Sequence, residues 1–132
     1  MRFTKLESAI LATLEEAGED NLAALLNTVG DAGTQQVGNK IDEFGTALSK
    51  LIDGGFLELA TSRDESSRRW IPLSGPESLQ VLRQLDSFFD WSKADKVWVW
   101  SSSSPRVEAL LTRAGIRAAN EVLSQGGWPK SQ

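Results

Sequence analysis

Residues 40–73 read KIDEFGTALSKLIDGGFLELATSRDESSRRWIPL. Ile41, Phe44, Leu48, Leu51 and Ile52 recur at helical spacing as far as Asp53. Gly54 and Gly55 follow, and a glycine here supplies the left-handed residue on which helices commonly end. Phe56–Ala60 is a short apolar strand, and Ser62–Ser67 is a polar, charged tip. Arg69–Leu73 is a second strand, and Pro72, with no N–H to give to a ladder, places it at a sheet edge. The stretch predicts a helix, a strand, an exposed tip and a returning strand.

Upstream, Lys5–Ala17 predicts a helix with Leu6, Ile10, Leu11 and Leu14 on one face. Thr4 precedes it and Glu7 follows three residues on, the spacing of a capping box. Gly18 ends it. Asn21 can cap a second helix to Val29, with Leu22, Leu25, Leu26 and Val29 turned inward. The glycine-rich connection GDAGTQQVGN leads into the third helix, Asn39–Asp53. It is longer than the three to four residues usual between two such helices, or it hides an early helical turn from Thr34.

Downstream, a fourth helix is expected from Gly75, with Pro76 in its first turn and Leu79, Leu82, Leu85, Phe88 and Phe89 along one side. Lys96–Trp100 has strand character, and Ser101–Ser104 is a loop. Ser104 is placed to cap a final helix with Pro105 in its first turn. Val107, Leu110, Leu111, Ala114, Ala118, Val122 and Leu123 mark its apolar face, Gly115 interrupts it, and Gly126 and Gly127 stop it. The fold class is therefore mainly α with a small antiparallel sheet. Residues 1–90 form the core unit, and residues 91–132 add a strand and a helix that pack on it or mediate dimerisation within one structural domain. The order strand, polar tip, apolar segment, Ser or Thr, helix occurs at residues 56–82 and again at 97–123. Duplication and simple addition of two elements both give such an echo.

Composition narrows the function. A chain of 132 residues suits one domain with a real core. It has no cysteine, which removes disulfides and thiolate metal sites, and no histidine, the commonest general base and nitrogen ligand. No constellation of carboxylates, lysines or hydroxyls forms a catalytic set, so an enzyme is not expected, and no cofactor is implied. No apolar run approaches the roughly 18 residues of a membrane span, and no leading apolar segment suggests a signal peptide. A cytoplasmic protein without membrane contact is expected. Net charge is −4, divided as −7 over residues 1–66 and +3 over residues 67–132.

FGTALSKLIDGGFLEL resembles the recognition-helix end of winged helix-turn-helix regulators of the MarR and PadR kind. The matching residues are Leu48, Leu51, Gly55, Phe56 and Leu57. WIPLSGPESLQVL resembles their second wing strand running into the next helix. The resemblance covers residues 4–90. It implies a DNA-binding transcriptional regulator, commonly a homodimer with terminal helices at the interface. The same scaffold also serves as a protein-binding module.

On that reading the third helix carries Asn39, Lys40, Thr46, Ser49 and Lys50 toward duplex DNA, and the wing adds Arg63, Arg68 and Arg69. Projection at about 100° per residue sets Asn39, Glu43, Thr46, Lys50 and Asp53 opposite the apolar face, flanked by Asp42 and Ser49. This surface is more acidic than phosphate binding favours. The wing arginines are interrupted by Asp64 and Glu65, so a solvated tip with scattered charges is the plainer alternative. LLTRAGIRAANEVL matches a phosphate-binding helix-hairpin-helix only at Gly115 and Ile116, and an interrupted helix accounts for it as well. Arg106, Arg113 and Arg117 nearby read as a basic stripe or as an ordinary solvated face.

Five tryptophans are many for this length. Trp98 and Trp100 share a strand face and are either core or an exposed patch for a protein partner. Trp70 is expected to pack on Val97 or Val99 if KVWVW joins the wing sheet. Trp91 is expected to close the core beneath the fourth helix, and Trp128 to anchor the tail. Two functions follow: a winged-helix regulator reading DNA, and a winged-helix interaction module that does not.

Overall fold

The structure is a computed structural model that describes residues 3–17, 19–29, 37–62, 70–100 and 107–124. Helix α1 (Lys5–Ala17) starts as the sequence predicts. The Thr4 N–H donates to Glu7 Oε1 at 2.7 Å, and the Glu7 N–H donates to Thr4 Oγ1 at 3.1 Å. Ala9, Ile10, Leu11, Ala12 and Leu14 have no exposed surface, so α1 is covered on nearly every side. Strand β1 (Glu19–Asn21) leads directly into α2 (Leu22–Val29), whose Leu22, Leu25, Leu26 and Val29 are buried. Helix α3 runs Val37–Asp53, beginning two residues before the expected Asn39.

Its end is a Schellman turn. Phe56 N–H reaches back to the Leu51 carbonyl and Gly55 N–H to that of Ile52, while Gly55 sits at φ +81. Strands β2 (Leu57–Ser62) and β3 (Trp70–Pro72) form the expected hairpin, with Ala60 opposite Pro72. β3 is outermost, where a proline costs no ladder bond. Ser74 and Glu77 form a capping box at the start of α4 (Gly75–Arg83). These bonds from the Ser74 N–H and hydroxyl hold the exposed Glu77 carboxyl below its ordinary range.

Several expectations are corrected beyond this point. The fourth helix stops at Arg83; Leu85–Phe88 is a 3-10 turn, and Phe89 opens strand β4 (Phe89–Ser92). KVWVW supplies β5 (Val97–Trp100), which pairs with β4 in a separate hairpin and not with β2 or β3. KVWVW therefore does not join the sheet on which the expected Trp70 contact with Val97 or Val99 rested. Trp91 lies on β4, half-buried against the core, with its ring edge-on to Trp98. Val107–Leu111 is strand β6, and α5 begins only at Arg113, running to Ser124. The five residues VEALL fit either period, and pairing on both edges decides for the strand.

The main sheet has the order β1-β6-β2-β3, antiparallel throughout. Leu57, Leu59 and Thr61 of β2 lie opposite Leu111, Ala109 and Val107 of β6 and share a face with them. Thr112 then caps α5, its Oγ1 accepting the Gly115 N–H at 3.1 Å. Gly115 does not interrupt this helix. It lets α5 press its backbone onto the Phe56 carbonyl, which any Cβ at position 115 would strike. Helix α5 packs along α1, and its Ala118 and Ala119 are buried. The chain is thus mainly helical with a small antiparallel sheet, and residues 107–124 belong to its centre. Gly18, the connection at 30–36, the wing tip at 63–69, the loop and cap at 101–105, Arg106, Gly126, Gly127 and Trp128 lie outside the described residues.

One side chain of α2 bonds directly to the β4–β5 hairpin. Asn27 Nδ2 donates to the Trp98 carbonyl at 2.8 Å, and the Trp98 N–H donates to Asn27 Oδ1 at 2.7 Å. The carboxamide thus copies the edge of a neighbouring strand. Phe88 stacks on Trp100 at 5.0 Å and 5°, and Phe89 meets the same indole edge-on at 5.8 Å.

Two substitutions test this architecture. Gly115→Ala should lower the unfolding free energy by about 2 kcal/mol or more through overpacking. That loss would appear as a reduced urea midpoint, and an unchanged midpoint would mean that α5 is not seated on Phe56. Asn27→Ala strands both backbone groups of Trp98 and should cost about 2 kcal/mol, with altered tryptophan emission. A parent-like melt and spectrum would remove the clamp from the account.

Candidate nucleic-acid interface

Helix α3 turns Phe44, Ala47, Leu48 and Leu51 into the core and leaves Asp42, Thr46, Lys50 and Asp53 exposed. Lys40, Glu43 and Ser49 are half-buried at the flanks, and Asn39 lies in the helix's first turn. Thr46 Oγ1 donates to the Asp42 carbonyl at 3.0 Å, so its proton is spent within the helix and its lone pairs and methyl remain available outward.

The outward strip stands as a ridge between two grooves. The first, about 440 Å³, runs between the start of α1 and α3 and is lined by Lys5, Leu6, Glu7, Asp42, Thr46 and Lys50 among others. The second, about 620 Å³, runs between α3 and α4, with Ile41, Gly45, Leu79, Leu82 and Leu85 as its apolar part and Asp42, Lys50 and Arg83 charged. Gly45 keeps that floor low, since a Cβ there would come within 3.2 Å of the Leu85 side chain.

Packing changes the charge of this surface. Lys5 and Arg83, absent from a projection of α3 alone, join Lys50 along the two grooves. Asp42, Glu43 and Glu7 line the same grooves, the last of them buried in the α1 cap. The acidic helix of the linear view becomes a balanced surface with exposed cations on both flanks. Lys5 and Arg83 escaped the sequence argument because each is an ordinary first-turn or last-turn cation until neighbouring helices bring it to α3. Arg63, Arg68 and Arg69 lie outside the described residues.

Trp98 is only 9% exposed, and Trp100 is half-buried in its stack with Phe88. They do not form an open apolar patch. The exposed large apolar side chains among the described residues are Leu79, Val99 and Ile116, on three different elements. Among the described residues no group of three or more acidic, histidine or cysteine side chains gathers to hold a metal. No described helix is long and apolar enough to cross a membrane. Compared with family models, curated proteins and solved structures, the chain matches none.

Proposed function

We propose that this chain is a small winged helix-turn-helix protein of the cytoplasm that binds duplex DNA and regulates transcription without catalysis. One observation carries the reading: the polar ridge of α3 stands between two grooves whose edges hold Lys5, Lys50 and Arg83. A helix entering the major groove needs its ridge to meet base edges while cations on either side meet the two phosphate backbones. The order α2, α3, β2, β3 supports the same assignment, with Arg63, Arg68 and Arg69 as the wing's contribution. Thr46 and Ser49 are the base-facing candidates, joined by Asn39 and Lys40 at the entering end, with Lys50 among the phosphate-facing cations. The resemblance adds a homodimer to this proposal.

A second reading is favoured by Leu79, which is 45% exposed beside Ile41 and Leu82. On it, the α3–α4 groove seats a protein partner and DNA is not bound. Salt dependence separates the two. Anisotropy of a labelled duplex should show affinity falling at least tenfold between about 50 and 200 mM salt. Lys50→Ala with Arg83→Ala should weaken binding and reduce the log–log salt slope by about 2, one ion released per lost phosphate contact. Folded protein that binds no duplex even at the lowest salt would overturn the DNA reading.

A further inference from the structure

We propose that the groove between the start of α1 and α3 binds a small zwitterion of the α-amino-acid class, with an apolar side chain. Glu7 takes its ammonium, and Lys5 and Lys50 take its carboxylate. The inference goes beyond the DNA reading and does not depend on it.

The first observation is a buried carboxylate that is only half used. Glu7 is 7% exposed and lines the groove. Its Oε1 accepts the Thr4 N–H at 2.7 Å, and among the described residues no hydrogen bond reaches Oε2. A carboxylate taken out of water is costly to leave with an unpaired oxygen. The capping box needs one side-chain oxygen, and a glutamine would supply it equally well. What the negative charge adds is an acceptor suited to a cationic donor.

The second observation is the set of groups around that oxygen's groove. Thr46 lines it too, and with its proton spent on the Asp42 carbonyl its oxygen is left to accept. It offers an ammonium a second partner. Leu6 and Ala47, both buried, supply the apolar wall. Lys5, Lys50 and Asp42 are the exposed charges of the lining. A plain cation would meet two lysines on entry, and a plain anion would meet Glu7, Asp42 and Glu43 inside. A zwitterion answers both, with its ammonium turned inward to the buried acceptor and its carboxylate outward to the lysines. The volume, about 440 Å³, lies within the roughly 300–1,000 Å³ of small-molecule sites.

The test is calorimetric titration of the folded chain with L-leucine, isopentylamine and isocaproate. The last two are leucine without its carboxylate and leucine without its ammonium. Leucine should bind saturably and shift the backbone amide resonances of residues 4–7 and 46–50. Each half-molecule should bind about tenfold more weakly or worse, the loss of one charge-assisted contact. Glu7→Gln keeps the cap and should melt like the parent, yet lose leucine affinity by a similar factor. Lys5→Ala with Lys50→Ala should weaken leucine and leave isopentylamine unchanged. No saturable leucine binding by the parent would overturn the site. So would half-molecules that bind as well as leucine, or a folded Glu7→Gln variant with parent-like affinity. The comparison of the three ligands uses the parent alone, so it decides the matter even if a variant fails to fold.

Discussion

Strand β6 holds the molecule together by bonding on both of its edges. On one side it pairs with the three residues of β1, and on the other with five residues of β2. Without it, β1 has no neighbour in the sheet, and β2–β3 is a lone hairpin of the kind that is marginal in water. Its core-facing Val107 and Ala109 are buried on the face they share with Leu59. The segment after it is just as tightly placed. The Thr112 N–H donates to the Phe56 carbonyl at 3.1 Å, and its hydroxyl donates to that of Gly55. The turn that ends α3 is therefore fixed by residues nearly sixty positions further along the chain.

That constraint reaches the candidate interface through α1. Helix α5 covers one side of α1, while α2, α3 and the sheet take the others. Complete burial of a Leu or Ile side chain is worth about 1.5–3 kcal/mol, and Ile10, Leu11 and Leu14 are all without exposed surface. Only the start of α1 reaches the surface beside α3, which is where Lys5 stands. The position of that cation follows from core packing and not from any local signal.

Local signals were legible wherever one short motif decides the outcome. Thr4 with Glu7, Gly55 after a helical run, and Pro72 at a strand edge each carry their own physical reason, and each does what that reason predicts. The reading failed where tertiary pairing arbitrates. VEALL suits a helix face as well as a strand, and KVWVW could have joined either sheet. Gly115 looked like a break because the sequence does not show the Phe56 carbonyl that waits above it. The candidate site divides the same way: α3 and its outward residues were visible at once, but the charge balance around them was not.

The placement of β6 also governs the order in which the chain can fold. Glu19 is paired with Leu110 across 91 residues of sequence, and Ala60 with Glu108 across 48. Closing loops of that size must precede the contacts that reward it, which makes folding slow relative to a helical bundle of local contacts. On the ribosome, the portion spanning β1 to β3 emerges before β6 and so with an unfilled slot in its sheet. It stays in that state until the last strand leaves the exit tunnel, with the edges of β1 and β2 unpaired.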